Sequence, residues 1–517
     1  MPTPRALLLR FLPVLCVVIF FGLLFVGVRN QSHSWYFQDE TEHVTLGWML
    51  TEFGRHLYVD LSTNHQPIPI LVGGALAKLI PAATFFEFID RLRIGMWAVA
   101  AVTSAVIALR FRWAGVIAVI LTYSLGHYFF AWHVLADSLV VPAVIWVLLA
   151  SAKASQKKLD HLLFGAALFW IVFNLVPLWP FAVATAAHYI WLNRKSSWVW
   201  LLPGVVLPTL ILWIFVNPFH WWQETVVNNV VYFIPYEAET DSWHYFRLLT
   251  YPLQHLPYLS SPIARFYLGG FLLLMGAAAF VKPKKWQQSQ LLQLVFFIGA
   301  LFLLNPRISV INVSFYSGFH LFPYLAGVAT MIGIAGQMLW QKPLTVQRRY
   351  VLLAGGIGLI ILLGSNMGWL WEKRDKMSDY YIQYDTFQAY GTALKTISQT
   401  GDTLMTGPDG AGYMNMMAGL PLAGRQNFHL EWAYRVPYLR QVWLEVIEKQ
   451  PPTFIYFDLQ DDSYSHILKP LIESKYVVLR RRDGTPTLLR MRKDAAERVE
   501  PAQWQKFEEQ AFQQPQL

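Results

Sequence analysis

The sequence has few charged residues and almost no cysteine. Only 14% of its 517 residues are charged, against roughly 25% in an ordinary soluble domain, whereas 55% are hydrophobic. The single cysteine, Cys16, lies inside an apolar segment. A disulfide framework, a cysteine-based zinc site and a cysteine nucleophile in an aqueous segment are therefore excluded. This composition is typical of an integral membrane protein.

The excess of positive charge does not indicate a nucleic-acid partner. The formal net charge is +9, but many of the lysines and arginines form short clusters between apolar segments. Such clusters are typical of cytoplasmic loops, where they set the orientation of a membrane protein. We therefore expect binding to a membrane and no nucleic-acid partner.

Apolar segments recur along residues 1–371 and predict about eleven transmembrane helices. The first follows Arg5 and Arg10 and is too long for the apolar centre of a signal peptide, so we expect it to be retained with its N-terminus in the cytoplasm. Alternating the sides then places every basic cluster inside, as the positive-inside rule requires. The predicted spans are 7–28, 94–109, 113–131, 134–151, 161–177, 179–193, 198–216, 264–281, 289–304, 320–340 and 350–371.

An odd number of spans leaves the C-terminal segment outside the cytoplasm. Residues 372–495 contain strand-like segments at 403–406, 453–459, 476–481 and 487–491, with helix-like segments at 380–399 and 431–449. This alternation predicts a small soluble α/β domain. For the polar, glutamine-rich tail at 496–517 we predict no ordered structure. The predicted fold is thus a polytopic α-helical membrane protein with long external loops at 29–93 and 217–263 and a C-terminal extracytoplasmic α/β domain.

The first external loop carries two adjacent carboxylates, Asp39 and Glu40. Acidic side chains are costly near hydrocarbon unless they face water or a partner, so their position indicates a functional site. From Glu42 onward, apolar residues at helical spacing predict an amphipathic helix on the membrane surface, with His43 and Thr45 on its polar side. A purely structural alternative stays open, in which Asp39 caps this helix and Glu40 is a solvated acid in its first turn.

Two further polar turns lie on the same predicted side. Asp137, in the segment ADS at 136–138, lies between two spans and either shares a cavity with Asp39 or caps the following helix. The segment NHQPIP at 64–69 opens a short apolar run, and its prolines fix the entry. His65 in this segment supplies a donor that can become cationic, and a simple solvated turn is the alternative.

The order of these segments resembles that of the C-superfamily (GT-C) membrane glycosyltransferases. A first span, an external Asp-Glu pair, a juxtamembrane helix, a turn similar to an HPPL segment and an external Ala-Asp-Ser turn are closest to the protein O-mannosyltransferase and lipid A aminoarabinose transferase group. The segment FHLFPY at 319–324 resembles the RYLLP entry to a late span. His320 stands where that pattern commonly has arginine, and Gln66 replaces the first proline of HPPL.

The resemblance implies a polyprenyl-phosphate sugar donor, a lipid, glycan or protein acceptor, and a bacterial inner or cell membrane. Direct displacement at the anomeric carbon requires a base for the acceptor hydroxyl and cations for the departing phosphate. We predict Asp39 as the base, aided by Glu40, with Asp137 orienting the acceptor or sharing the base role. The predicted substrate-binding residues are His65, Gln66, Arg265, Arg307 and His320.

Several alternatives stay open at this level. A divalent metal with Asp39, His43 and Asp137 as ligands would suit their oxygen and nitrogen atoms, although no compact metal motif is present. Interfacial anchoring is the alternative role of Arg307. A transporter or flippase of lipid-linked or small polar solutes would place acids near the bilayer midplane, and a membrane scaffold would not need acids on one side. The acids here lie at the predicted external ends, which favours surface chemistry.

Overall fold

Helices form most of the described part of the chain. The computed structural model describes residues 4–32, 38–80, 82, 84–193, 198–233, 288–304, 320–340, 367–370, 379–406, 412–425, 437–456, 465–480 and 483–511. In chain order the α-helices are α1 (Pro4–Asn30), α2 (Gln38–Phe53), α3 (Pro67–Leu79), α4 (Phe85–Ser124), α5 (Ala136–Ser151), α6 (Lys158–Val172), α7 (Trp179–Asn193), α8 (Trp198–Phe215), α9 (Pro218–Trp222), α10 (Gln288–Leu303), α11 (Phe322–Trp340), α12 (Asp379–Ile397), α13 (Gly412–Ala418), α14 (Pro437–Lys449), α15 (Ser465–Lys475), α16 (Lys493–Glu497) and α17 (Pro501–Ala511).

Short irregular helices and four strands complete the described elements. Two π-helical turns, Gln223–Val227 and Asn229–Phe233, follow α9. The strands are β1 (Leu404–Thr406), β2 (Phe454–Tyr456), β3 (Tyr476–Arg480) and β4 (Pro486–Arg492). They form one sheet in the order β1-β2-β4-β3, in which β1 and β2 are parallel and the other pairs are antiparallel.

Three of the described helices are long and apolar enough to cross a membrane. They are Phe11–Asn30 within α1, α4 and α8, and the shorter helices α3 and α5 are also apolar. The segments predicted as spans at 134–151, 161–177, 179–193, 289–304 and 320–340 are helical as well. The predicted span at 264–281 lies outside the described residues, as does nearly all of 350–371. The predicted apolar helical architecture is confirmed.

A break inside α4 separates two of the predicted spans. The backbone of Arg112 has φ 59° and ψ −135°, which is not helical. Beside the break, the Arg110 guanidinium forms a two-point ion pair with Asp160 at the start of α6, where Nε donates to Oδ1 at 2.8 Å. Two of the basic turns predicted to face the cytoplasm therefore lie at the same end of their helices, as the alternation of spans requires.

The chain divides into two compact units, each built from segments that are not contiguous in sequence. The first contains Met1–Gln31, Arg93–Leu212 and Ala238–Lys373. The second contains Ser32–Leu92, Trp213–Glu237 and Arg374–Leu517. The second unit thus combines the predicted first external loop, a short segment after α8 and the C-terminal α/β domain.

Close side-chain packing holds the apolar helices of the first unit together. Leu24 of α1, Val141 of α5 and Leu325 of α11 are fully buried in one cluster. Gly333 of α11 lies so close to the backbone of Ala114 in α4 that a Cβ would overlap it. In a bilayer the lipid tails are as apolar as the helices, so the hydrophobic effect does not drive the helices together. Their association depends instead on close van der Waals packing, which small residues at the crossings allow. This packing fixes α5, which carries Asp137 in its first turn.

In the second unit, α2 and α3 cross at a contact between glycines. A Cβ at Gly74 would lie 2.5 Å from the carbonyl oxygen of Gly47, and a Cβ at Gly73 would lie 2.9 Å from that of His43. A Cβ at Gly47 would overlap the backbone of Ile70 and Gly74. Backbone meets backbone at this crossing, so no side chain can move aside to make room. The contact sets the position of α2, which carries Asp39 and Glu40.

The C-terminal sheet is covered by helices that follow the predicted pattern. Met405 of β1 and Ile455 of β2 pack with Trp443 and Ile447 of α14 in one buried cluster. Trp443 and Ile447 are four residues apart and therefore share a helix face. The strands and helices predicted for residues 372–495 are confirmed where the structure describes them, while the predicted end of the second strand, 457–459, lies outside the described residues.

The prediction of a disordered tail after residue 495 is wrong. Helix α17 buries Phe507 to 1% exposure and packs on α12, where Gln503 Nε2 donates to the Thr396 carbonyl oxygen at 3.3 Å. Trp504, Phe507 and Ala511 lie on one face at helical spacing. These few apolar residues stabilise the helix because α12 packs against them and buries Phe507 and Ala511.

Alanine at Gly47 is expected to destabilise the protein. The added Cβ must separate α2 from α3, and overpacking of this kind costs on the order of 1–3 kcal/mol. We expect Gly47→Ala to lower the thermal unfolding midpoint of the purified protein in detergent. Gly22→Ala in α1 is the matched control, because a Cβ there meets no atom within 4 Å. Equal midpoints for the two variants would contradict the close crossing.

Candidate functional site

The structure places Asp39 and Glu40 in the first turn of α2. The helix begins at Gln38, so Asp39 lies inside the helix and not at the N-cap position. Carboxylates in a first turn interact favourably with the positive end of the helix dipole. Glu40 is 1% exposed, so its interpretation as a solvated acid is wrong, whereas Asp39 is only partly buried.

The polar side of α2 is buried instead of facing water. His43 and Thr45, which the spacing assigns to a solvated face, are 1% and 0% exposed. Both α3 and α13 pack against α2, and residues 40–47 in its N-terminal half are buried. Glu52, near its C-terminal end, is exposed. The prediction of an amphipathic helix with a water-facing polar side is therefore wrong for the half that carries the acids.

His65 lies against two residues of α2. Its Nε2 is 3.2 Å from Oε2 of the buried Glu42, and its ring lies edge-on to His43 with 4.7 Å between the centroids. That Glu42 oxygen makes no hydrogen bond within the described part of the chain, so the contact is an electrostatic one. His65 is partly buried, with a side-chain exposure of 20%. The structure thus brings together His65 and His43 and adds Glu42, and the solvated-turn alternative for His65 is wrong.

Gln66 is buried beside His65 and also has a defined partner. Its Oε1 accepts a hydrogen bond from the indole Nε1 of Trp221 at 3.1 Å. Its backbone is extended, and it directly precedes α3 without capping that helix through its side chain. The amide thus links the turn at 64–69 to α9, and its predicted role in substrate binding stays a prediction.

A buried carboxylate that the sequence pattern does not reveal, Glu224, holds this turn in place. Its Oε2 accepts hydrogen bonds from the Ser62 hydroxyl at 2.9 Å and the Asn228 amide at 3.0 Å. Its Oε1 lies 3.1 Å from Nη2 of Arg425. Burial raises the pKa of Glu224 above its ordinary value, while Arg425 and the two hydrogen bonds oppose the rise.

Arg425 and Tyr58 extend the network from Glu224 to His65. The Arg425 guanidinium also donates to the Tyr58 carbonyl oxygen at 2.8 Å, and the Arg425 carbonyl oxygen accepts from the Ser62 backbone N–H at 2.6 Å. Tyr58 is fully buried in a left-handed backbone conformation, φ 64°. Its hydroxyl donates to the carbonyl oxygen of His65 at 2.7 Å. A continuous series of hydrogen bonds therefore positions His65.

Neither Glu224 nor Arg425 has a local sequence signal that assigns it to this site. Glu224 is the one acid between residues 218 and 233, in a segment whose aromatic residues fit an interfacial belt equally well. Arg425 lies in the C-terminal domain, 201 positions further along the chain. A lone acid in an apolar, aromatic segment was the available clue, because such an acid needs a partner when it is buried.

In the first unit, the structure brings Asp137 and His320 together. Asp137 is 2% exposed in the first turn of α5, and His320 lies two residues before the start of α11. His320 Nδ1 and Asp137 Oδ2 are 3.1 Å apart. Leu135 occupies the N-cap position of α5, so the interpretation of Asp137 as a helix cap is wrong. The two segments that resemble the Ala-Asp-Ser turn and the RYLLP entry thus meet in one pair, in which Asp137 is buried and His320 is partly buried.

Arg265 and Arg307 lie outside the described residues. Asp39 and His43 belong to the second unit and Asp137 to the first. Within the described ranges, no group of three or more His, Cys, Asp or Glu side chains is arranged to hold a metal ion.

The two clusters have a common chemistry. Each joins a carboxylate to an imidazole, Glu42 to His65 and Asp137 to His320, at distances of 3.2 and 3.1 Å. An imidazole paired in this way can hold or pass a proton and, once protonated, can face an anion. Asp39 adds a partly exposed carboxylate close in sequence to the first cluster. The arrangement suits reactions in which a proton is removed and negative charge develops.

Glu224 is expected to make the folded protein less stable as the pH rises. Because burial raises its pKa, the folded protein holds the carboxyl proton more tightly than the unfolded chain does. The resulting stabilisation is complete below the ordinary pKa of 4.5 and is lost as the pH rises through the raised folded value. We expect the stability of the wild type, measured relative to Glu224→Gln by thermal unfolding, to fall as the pH rises from about 4 to about 8.

The exposed Glu52 supplies the control for this measurement. Glu52→Gln changes the same functional group on the surface of α2 and should follow the wild-type pH curve. Parallel curves for wild type and Glu224→Gln over the whole range would contradict the raised pKa of Glu224.

Comparison with known proteins identifies the fold. No protein-family model matches the sequence, and no curated protein matches it. Among solved structures, ArnT from Cupriavidus metallidurans superposes with a TM-score of 0.50 at 12% identity, covering 92% of this chain and 97% of that one. An oligosaccharyltransferase from Archaeoglobus fulgidus gives a TM-score of 0.44 at 10% identity, covering 92% of this chain and 74% of the other.

The likeness to ArnT extends over nearly the whole of both chains, and at 12% identity it is a likeness of fold. It agrees with the apolar helices, three of them long enough to span a bilayer, and with the small C-terminal sheet. The protein is thus an integral membrane protein with the GT-C fold.

Proposed function

We propose that the protein is a membrane glycosyltransferase that moves a sugar from a polyprenyl-phosphate donor to an acceptor hydroxyl on the extracytoplasmic face. The observation that carries the proposal is the pair of the buried Asp137 and the partly buried His320, 3.1 Å apart. This pair joins the two segments that resemble the external Ala-Asp-Ser turn and the late-span entry of GT-C enzymes. The fold shared with ArnT, a lipid A aminoarabinose transferase, supports the same class of reaction.

The reaction proposed is a direct displacement at the anomeric carbon. The acceptor hydroxyl must lose a proton as it attacks, whereas a phosphate leaving group needs no acid at neutral pH. Asp39 is the proposed base because it is partly exposed and can meet an incoming acceptor, while Glu40 beside it is buried. Glu40 supports the first turn, and Asp137 orients the acceptor or shares the base role.

The departing phosphate requires positive charge. His65 and His320 are the proposed contributors in the described part of the chain, since each protonated imidazole would be held by a buried carboxylate, Glu42 or Asp137. Gln66 adds an amide beside His65. Arg265 and Arg307 complete the proposed set as phosphate-binding side chains, because a guanidinium matches phosphate geometry and is always charged.

The membrane topology proposed with this function places the chemistry outside the cytoplasm. The N-terminus is cytoplasmic and the C-terminal domain is extracytoplasmic, in a bacterial inner or cell membrane. The contact of Arg110 with Asp160 supports this topology, because it brings two basic turns to one end of the helices. The lipid-linked donor stays in the bilayer, and a lipid, glycan or protein acceptor approaches from the aqueous side.

Removal of the proposed bases should abolish sugar transfer without unfolding the protein. Asp39→Asn and Asp137→Asn keep the shape of the side chain but remove its basicity, and loss of a general base costs about 100-fold or more in rate. The measurement is transfer of radiolabelled sugar from a mixture of polyprenyl-phosphate sugars by the purified protein in liposomes, with membrane extract as acceptor.

The control for these variants is Asp60→Asn. Asp60 lies in the same external loop as Asp39, is partly exposed, and accepts a hydrogen bond from the backbone N–H of His56. It should transfer sugar at the wild-type rate. Wild-type transfer by both Asp39→Asn and Asp137→Asn would contradict the assignment of the base. The absence of transfer by folded wild-type protein would contradict the proposed function and favour a transporter.

We expect sugar transfer to tolerate arginine at position 320 but not leucine. His320→Arg keeps a cation beside Asp137 and restores the residue common in the resembling pattern, so most of the transfer activity should remain. His320→Leu removes the cation, and we expect at least about a tenfold loss, equivalent to about 1.4 kcal/mol in the barrier. The exposed His220 supplies the control, His220→Leu. Equal losses in His320→Arg and His320→Leu would show that the charge is not needed.

A further inference from the structure

A polar cavity of about 550 Å³ lies in the second unit, apart from the acids of α2. It opens where the parallel strands β1 and β2 begin, between the residues that precede each strand. Its volume falls within the range of roughly 300–1,000 Å³ typical of small-molecule sites. Its wall includes four cationic side chains, Arg55, Lys449, Arg492 and Arg498.

One carboxylate, Asp402, lines the cavity, and its bonding is already complete. It is 4% exposed. Its Oδ1 accepts from the Thr453 hydroxyl at 3.0 Å and pairs with Arg498, and its Oδ2 accepts from the backbone N–H of Gln399 at 2.7 Å. Asp402 therefore anchors Arg498 to the wall, and it offers no free carboxylate that would attract a cation into the cavity.

Arg492 is also held in place, by Pro451 of the cavity wall and by Asp494. Its Nη1 donates to the Pro451 carbonyl oxygen at 2.7 Å, and its Nε donates to Oδ1 of Asp494 at 2.6 Å. Asp494 is exposed and does not line the cavity. Guanidinium groups fixed in this way lose little conformational entropy when an anion binds. Two of the four cations are thus pre-positioned by the fold.

The other two cations, Lys449 and Arg55, lie at or just after the C-terminal ends of α14 and α2. The side chain of Lys449 is 70% exposed, and its ion pair with Glu445 spans 3.7 Å on the surface of α14, where such pairs contribute little. Arg55 follows α2. The backbone N–H of His56 and, more weakly, the charge of Arg55 hold the pKa of Asp60 below its ordinary value. Asp60 and Glu445 lie outside the wall, so the interior keeps an excess of positive charge.

The rest of the wall supplies neutral hydrogen-bonding groups. Thr400 and Thr403 contribute hydroxyls and Gln450 an amide, whereas the hydroxyl of the buried Thr453 already donates to Asp402. Side chains of this type suit the hydroxyl groups of a sugar. The cavity is also larger than a bare phosphate requires, since one water occupies about 30 Å³ of liquid volume. Charge and size together indicate an anion attached to a polar body.

We propose that this cavity binds a phosphorylated saccharide, with the phosphate against Lys449, Arg55 and Arg498 and the sugar hydroxyls against Thr400, Thr403 and Gln450. Several cations match the double charge of a phosphate monoester, and the arginine fork matches its geometry. The proposed site does not depend on the transfer reaction proposed above, and a binding measurement alone tests it. The ligand is either a soluble sugar phosphate or the phosphorylated headgroup of a glycolipid.

Isothermal titration of the full chain in nanodiscs of zwitterionic lipid tests the site, with glucose 1-phosphate as the probe. Lys449→Glu reverses an exposed charge and leaves the buried contacts of Arg498 and Asp402 intact, so the variant should fold. We expect wild type to bind glucose 1-phosphate more tightly than glucose, binding to weaken at higher salt, and Lys449→Glu to bind at least tenfold more weakly.

Lys506→Glu is the matched control, an exposed lysine of α17 away from the cavity, and it should bind as wild type does. Wild-type binding of glucose 1-phosphate no tighter than that of glucose would overturn the proposal, and so would equal binding by Lys449→Glu and Lys506→Glu. Nanodiscs that contain phosphatidylinositol 4-phosphate distinguish the two sources. If glucose 1-phosphate binds more weakly in these nanodiscs, the lipid headgroup competes for the cavity and is its ligand. If the binding of glucose 1-phosphate is unchanged, the ligand is a soluble sugar phosphate.

Discussion

The structure of the second unit depends on Glu224, a buried carboxylate that needs hydrogen-bond partners. Glu224 cannot lie in a dehydrated interior without hydrogen-bond partners, because an isolated buried charge is very costly. Its partners come from the first external loop, from its own segment and from the C-terminal domain: Ser62, Asn228 and Arg425. Three segments far apart in sequence are thereby joined, and for this reason the unit has discontinuous boundaries. The same bonds continue through Tyr58 to the backbone of His65.

A second constraint, the glycine crossing of α2 and α3, acts on the same site from the other side. The backbone contact of Gly47 with Gly74 leaves no freedom for α2 to slide. Since His43 and Glu42 lie on α2 and His65 directly precedes Gln66 at the start of α3, the crossing also fixes the distances within this cluster. The carboxylates of the first turn are thus supported by rigid helices, which is the arrangement that precise chemistry requires.

Much of the fold could be predicted from sequence because it depends on local patterns. Apolar length predicted α1, α5 and α8, and alternating strands and helices predicted the C-terminal domain. The resemblance of their segments to those of a family marked Asp137 and His320 as separate candidate residues, but their pairing was not predicted. What could not be predicted rests on contacts between distant residues: the burial of the polar side of α2, the network of Glu224 and Arg425, and the helix α17, whose few apolar residues suffice because α12 covers them.

The separation of Glu224 from Arg425 has a consequence for biosynthesis. The two residues are 201 positions apart, and chains grow at about 5–20 residues per second, so the carboxylate waits about 10 to 40 seconds for its guanidinium partner. During that interval the loop that carries His65 lacks the contact that holds Tyr58. The first external loop is made early but reaches its final structure late. A nascent chain that has emerged only as far as α14 already contains the described apolar helices, and its loop that carries His65 has only just acquired Arg425.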